Sequence, residues 1–173
     1  MDILNFIKKY DIVQHEKVIL SSGKVSNLYI DGKKVSLDSE GVKIAANGLY
    51  ELLVKNLNSF DAIGGLTLGA DPLIGAILYH SKHSLKGFIV RKEAKGHGLQ
   101  KLIEGPVEKG MSCVIVEDVV TTGKSALKAI SAAQEFGMKV LGIGCLVNRQ
   151  EGGDELFQSL NLPLFSLLNA SDL

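Results

Sequence analysis

The amino-acid sequence predicts an α/β domain built on a doubly wound, mostly parallel sheet, with a small N-terminal hood. Three observations carry this. From Asp61 onward, strand-like and helix-like segments alternate, the order that produces a parallel sheet covered on both faces. Residues 111–116 and 140–147 are apolar runs with almost no polar interruption, the pattern of strands buried on both sides. Glycine is abundant, 19 of 173 residues against a usual share of about 7%, so many tight backbone turns are expected. A length of 173 residues suits one domain with a full core. We divide it into a hood, approximately residues 1–37 plus the C-terminal segment, and a core of approximately residues 38–150.

Taken in order, Asp2 is placed to cap a short amphipathic helix that runs to Tyr10 and sets Ile3, Phe6 and Ile7 on one face. Residues 17–20 and 25–31 read as two short strands around the turn Ser21-Ser22-Gly23-Lys24, a small hairpin. Asp38 caps a long helix to about Asn56, in which Val42, Ala45, Ala46, Leu49, Leu52 and Leu53 keep the helical period. Residues 62–65 form a strand, 72–80 a helix with Pro72 in its first turn, and 86–90 a further strand. The stretch 91–109 is charged and glycine-rich. Strand 111–116 ends at Glu117-Asp118, and a helix over 123–136 stops at Gly137. Strand 140–147, a short helix over 154–160 and a last strand over 164–168 complete the chain. No repeat, low-complexity tract or linker marks a second domain.

Nineteen Lys+Arg balance nineteen Asp+Glu, so the chain lacks the basic footprint of a general nucleic-acid binder. An acid precedes the apolar residues at the start and lysines follow them, the reverse of a secretory signal, so export is not expected. The longest apolar stretch, 62–79, is interrupted by glycines and by Asp71-Pro72 and cannot form an unbroken membrane helix. Cys113 and Cys145 each lie in a buried-strand pattern without metal-ligand spacing, which reads as core thiols in a reducing cytoplasm. His15, His80 and His83 lack ligand spacing and read as surface residues.

In an open parallel sheet, ligands sit beyond the carboxyl ends of the strands. Three segments there carry candidate chemistry. The first is Val114-Ile115-Val116-Glu117-Asp118-Val119-Val120-Thr121-Thr122-Gly123-Lys124-Ser125, a buried strand leading to two carboxylates and a hydroxyl-rich loop that opens a helix. The unsatisfied first amides, the hydroxyls and the positive helix end make a cup for a phosphate monoester. The carboxylates are placed to accept hydrogen bonds from sugar hydroxyls. An ordinary capped strand-to-helix turn is the plainer alternative. Gly123-Lys124-Ser125 lacks the earlier glycine of a Walker A loop, where Asp118 stands, and Gly142-Ile143-Gly144 has Val147 in place of the third glycine of a dinucleotide fingerprint.

The second segment, Arg91-Lys92-Glu93-Ala94-Lys95-Gly96-His97-Gly98, gathers Arg91, Lys92, Lys95 and His97 on a loop with glycines beside the histidine. It reads either as a solvated charged loop or, beside the phosphate cup, as a clamp for a more highly charged anion. The third, Gly64-Gly65-Leu66-Thr67-Leu68-Gly69-Ala70-Asp71-Pro72, is a glycine-rich turn whose amides could approach a pyrophosphate or serve structure alone.

These residues resemble the orotate branch of the type I phosphoribosyltransferases. Val114 to Ser125 is similar to the superfamily's motif for 5-phospho-α-D-ribose 1-diphosphate (PRPP), and Arg91 to Gly98 to the catalytic loop of the orotate branch. Ser22-Gly23-Lys24, Ser26 and Tyr29-Ile30-Asp31 resemble its hood, and Asn148-Arg149-Gln150-Glu151 its post-strand segment. The resemblance covers roughly residues 16–151 and implies a type I phosphoribosyltransferase-like fold. It implies Mg²⁺-dependent transfer of phosphoribosyl from PRPP to N1 of orotate, giving orotidine 5′-monophosphate and diphosphate in pyrimidine (UMP) biosynthesis.

By position, the resemblance implies that Glu117 and Asp118 hold the ribose hydroxyls and that Val119, Val120, Thr121, Thr122, Gly123, Lys124 and Ser125 surround the 5′-phosphate. Arg91, Lys92, Lys95 and His97 would contact the diphosphate, with Lys92, Lys95, His97 and Asp118 as the catalytic set. Thr121 and Arg149 would bind orotate. It further implies Mg²⁺ held mainly by PRPP and water rather than by side chains, and a cytoplasmic homodimer with loop residues shared across the interface. Ser21 and Gly69 stand where some family members carry lysine, and Lys124 stands where small residues are common. Transfer to another base, or a PRPP-sensing regulator of the same fold, stay open as alternatives.

Overall fold

The computed structural model describes residues 2–10, 12–14, 18–19, 25–26, 29–93 and 102–173, with the side chains of 14–28 outside the description. Helix α1 (Ile3–Lys9) starts where expected, with Asp2 accepting from the Asn5 amide at 2.8 Å. Four two-residue strands follow. β2 (Val18–Ile19) and β3 (Val25–Ser26) pair antiparallel as the expected hairpin. β1 (Val13–Gln14) pairs with β4 (Tyr29–Ile30), so the single strand expected over 25–31 is two strands with different partners. A short helix not foreseen from the sequence, α2 (Gly32–Ser36), comes next, and Asp31 caps it by accepting from the Lys33 amide. Asp38 serves α3 (Gly41–Leu57) from three residues back, its Oδ1 accepting from the amides of Glu40 and Gly41.

The core alternates as predicted. β5 (Ala62–Leu66), α4 (Asp71–His80), β6 (Lys86–Val90), β7 (Ile103–Glu104), β8 (Ser112–Val120), α5 (Lys124–Phe136), β9 (Lys139–Asn148), α6 (Gly153–Ser159) and β10 (Leu164–Asn169) follow in order, before a final 3₁₀ turn over Ala170–Asp172. The six-stranded sheet has the order β10-β9-β8-β5-β6-β7, parallel throughout except for β7, an antiparallel edge strand not anticipated. β8 does not stop at Val116. Its ladder with β9 continues through Val120↔Asn148, so Glu117 and Asp118 lie inside the strand. Backbone pairing overrides the polarity that suggested an end there.

Side-chain alternation along β8 fills both layers. Cys113 and Ile115 join the cluster under α5 with Ala129, Ile130 and Ala133, whereas Val114 and Val116 pack with Leu49, Leu53, Ile74 and Ile77 of α3 and α4. Both cysteines are free and buried, and burial pushes the Cys113 thiol up to about 12, the state of an inert core thiol. A third cluster joins Phe6, Ile7, Ile12, Ile30 and Val35 to Leu146, Val147 and Leu168, seating the hood on the carboxyl ends of β9 and β10. His80 is half-buried rather than on the surface: its ring meets Tyr50 edge-on at 5.7 Å. Among the described residues, no helix is long and apolar enough to cross a membrane.

Gly64 and Gly65 belong to β5 and not to the turn after it. A Cβ on Gly64 would lie 2.5 Å from the Phe88 ring, and one on Gly65 would collide with the Val116 carbonyl. Gly64→Ala is therefore expected to lose roughly 1–3 kcal/mol by overpacking. Urea unfolding checks this, and a midpoint equal to wild type would contradict it.

Candidate active site

β8 delivers the site. The alternation that sends Ile115 toward α5 and Val116 toward α4 sends the next two side chains the same two ways. Glu117 faces the α5 side and lines a cavity of about 100 Å³, together with Val119, Val120 and the loop Thr121, Thr122, Gly123, Lys124 and Ser125. Asp118 goes to the opposite side, against Gly32 of α2 and Gly69 of the turn before α4. The two acids thus leave the strand on opposite faces of the sheet.

The cup owes its shape to glycine. Gly123, the residue before α5, has a φ of +76°, and a Cβ there would lie 2.9 Å from both Leu156 and Phe157 of α6. A side chain is excluded at the capping position, and no side-chain hydrogen bond caps the helix. The first amides of α5 are therefore presented to the cavity, with the positive end of a 13-residue helix behind them. The loop is pinned from outside: the Arg149 amide donates to the Val120 carbonyl at 2.8 Å and the Gly153 amide to Thr121 at 3.0 Å. Lys124 lines the cup and is exposed.

Glu117 is 5% exposed, and its Oε1 is buried with no hydrogen-bond partner among the described residues. Burial, with the Asp118 charge second, pushes its carboxyl up to about 8. Asp118 is also pushed upward, chiefly by burial, while the Val119 amide at 2.8 Å and the Lys33 charge pull the other way. Lys33 was not singled out in the sequence. No local motif marks it, because its relation to Asp118 is made by folding α2 onto β8.

Arg149 is 5% exposed directly after β9, and its Nη2 meets Glu151 Oε1 at 2.6 Å. Asn148 beside it donates to both carboxylate oxygens of Asp154 at 2.9 Å and accepts from the Gln150 amide, which makes the post-strand segment rigid. Arg91 and Lys92 do not line the cup. They border a separate cavity with Thr67, Asp71, Glu93 and Glu104, where Arg91 Nη1 lies 3.7 Å from Glu104 Oε1. Lys95 and His97 lie outside the described residues, as does the Ser21 position. At the other lysine position, a Cβ on Gly69 would sit 2.6 Å from Asp118 Oδ1, so this turn admits Asp118 only because residue 69 lacks a side chain. Among the described residues, no three His, Cys, Asp or Glu side chains converge as a metal site.

Residues 37–158 match the family described as the phosphoribosyl transferase domain. The orotate phosphoribosyltransferase of Aquifex aeolicus is 46% identical over 176 residues, covering 99% of this chain and 95% of that protein. The chain belongs to the orotate phosphoribosyltransferase family. Its sheet and helices follow the family fold. A phosphoribosyltransferase structure from Corynebacterium diphtheriae superposes with a TM-score of 0.86 at 32% identity, covering 99% of this chain and 95% of that one. The Mycobacterium tuberculosis orotate phosphoribosyltransferase, solved in complex with 5-phospho-α-D-ribosyl 1-diphosphate, superposes with a TM-score of 0.81 at 32% identity, covering 98% and 95%.

The raised Glu117 carboxyl makes stability depend on pH in a defined direction. Its folded value of about 8 exceeds the ordinary 4.5, so between them the native state holds a proton that the unfolded chain has lost. The Glu117 contribution to stability therefore falls as pH rises through this window. Glu117→Gln removes the ionisation and is expected to melt above wild type near pH 8, with the gap narrowing toward about pH 5. Thermal unfolding across that range checks it, and a gap independent of pH would contradict it.

Proposed function

We propose that the protein is an orotate phosphoribosyltransferase, transferring phosphoribosyl from PRPP to N1 of orotate to give orotidine 5′-monophosphate and diphosphate in UMP biosynthesis. The observation that carries this is the uncapped N-terminus of α5 facing a cavity lined by the buried Glu117, in a chain 46% identical to a curated orotate phosphoribosyltransferase.

In this reading the amides and hydroxyls of Thr121 to Ser125 take the 5′-phosphate, and Val119 and Val120 close the cup above them. Glu117 and Asp118 approach the ribose from opposite sides of β8 and accept from its hydroxyls. A protonated Glu117 can also donate, because its raised carboxyl holds a proton at neutral pH. The orotate N1 forms a bond to C1 of the ribose as the bond from C1 to the diphosphate oxygen breaks. Positive charge develops on the sugar and negative charge on the leaving group. In this reading Asp118 answers the first, and Arg91, Lys92, Lys95 and His97 answer the second, where preorganised charge is worth several kcal/mol. Arg149, with one arm fixed by Glu151, offers a planar fork to the orotate carboxylate beside Thr121.

Mg²⁺ travels with the diphosphate, held mainly by substrate oxygens and water, the hard ligands it prefers, and when bound it neutralises charge on the leaving group. The Glu117 carboxyl that lines the cup fits hydrogen bonding to a sugar hydroxyl rather than ligation of the ion. The protein works in the cytoplasm as a homodimer whose loop cations reach the neighbouring site. Residues approximately 1–37 and the C-terminal segment form a hood over the core of approximately 38–150.

Diphosphate release is expected only with orotate, PRPP and Mg²⁺ together. A panel of nucleobases tests the choice of acceptor, and no turnover with all three components would reject the assignment. Arg149→Ala is expected to raise KM for orotate by about tenfold to a hundredfold, the loss of one charge-assisted contact, while KM for PRPP changes little. Equal effects on both substrates would contradict the assigned role. Lys95→Ala or His97→Ala is expected to lower kcat far more than it weakens ribose 5-phosphate binding, and equal losses would point to general anion binding.

A further inference from the structure

The hood contributes a charge to the core that the reaction scheme above does not use. Asp31 caps α2, and its Oδ1 accepts the Lys33 amide at 3.2 Å and meets the Lys33 ammonium at 3.3 Å. Backbone and side chain of Lys33 are thereby tied to one oxygen. The residue before it, Gly32, lies so close to β8 that a Cβ would come within 2.7 Å of the Asp118 Cβ. The seam between α2 and β8 thus brings the anchored ammonium toward the one carboxylate that leaves the sheet on that side.

We propose that Lys33 is a positioning residue for Asp118: held by Asp31 at the start of α2, it keeps the Asp118 carboxylate charged and directed at the ribose. The inference rests on the reading of Asp118 as a ribose partner. Half of the Lys33 side chain is exposed, so the Lys33–Asp31 contact adds little to stability. Its effect on Asp118 is larger, because that carboxylate sits in the buried seam where charges are screened less. Burial pulls the Lys33 ammonium downward, yet Asp118, the largest opposing influence, together with Asp31 leaves it raised overall. The groups facing Asp118 from each packed element are few. α2 and its cap bring Lys33 and Asp31 and the turn 67–70 brings Gly69 with no ionisable side chain, while Glu117 of β8 and the Cys145 thiol of β9 interact with Asp118 from the α5 side of the sheet. Among the described residues, Lys33 is the cation in this set.

The test titrates the Asp118 carboxylate by carbon-13 NMR in the full-length protein and needs no turnover. Lys33→Met is expected to raise its midpoint by about one pH unit, and Lys33→Arg to restore it. Lys34→Met, which removes the same charge one position along the same helix, serves as the control and leaves it in place. In parallel, the acidic limb of kcat/KM for PRPP moves upward by the same interval with Lys33→Met, while activity on the alkaline side of that limb changes little. An unmoved Asp118 midpoint in Lys33→Met, or an equal shift in Lys34→Met, overturns the proposal. A wild-type protein without orotate-dependent diphosphate release would sink the functional reading instead, and the titration would still decide the role of Lys33.

Discussion

A helix that begins without a capping side chain leaves its first amides in need of an acceptor, and among the described residues no side chain caps α5. Gly123 adopts a left-handed conformation that favours glycine and is walled in by Leu156 and Phe157. The Thr121 and Val120 carbonyls are already taken by the amides of Gly153 and Arg149, which fixes the loop before any ligand arrives. The remaining demand is for an anion. The rigid strand beneath it, paired to β9 along its whole length, keeps that demand in one place.

The same strand sets the division of labour between the two acids. Period-two alternation leaves Glu117 in the cup and Asp118 in the seam with the hood, so adjacent carboxylates occupy unlike surroundings. Two glycines on separate elements, Gly32 and Gly69, make the room that Asp118 needs. A larger residue at either place would press on the carboxylate rather than on a neutral wall, so a packing requirement and a chemical one meet at the same atoms.

Much of this was readable from residue patterns. The apolar runs of β8 and β9, Pro72 at the start of α4 and Gly137 after α5 announced the parallel core, since each is a local preference that the tertiary structure agrees with. The hydroxyl loop announced the cup for the same reason. What the patterns did not announce depends on contacts between distant segments. The continuation of β8 past Val116 is decided by β9, the pairing of β1 with β4 by the way the hood closes, and the edge strand β7 by a two-residue match to β6. Lys33 belongs with these. Its neighbours in sequence give no sign of Asp118, which stands 85 positions away and meets it only when α2 folds onto the sheet. Arg91 and Lys92, grouped by sequence with the phosphate loop, border a different cavity because β6 and β8 are separated in the sheet by β5.

The most direct examination of the phosphate cup is a titration of the amide-labelled protein with ribose 5-phosphate, followed by proton–nitrogen correlation spectra. The amides of Thr121 through Ser125 should move together and furthest, with smaller changes at Glu117 and Asp118. Shifts confined to the Arg91–Glu104 cavity, with the start of α5 undisturbed, would show that the helix terminus does not receive the sugar phosphate.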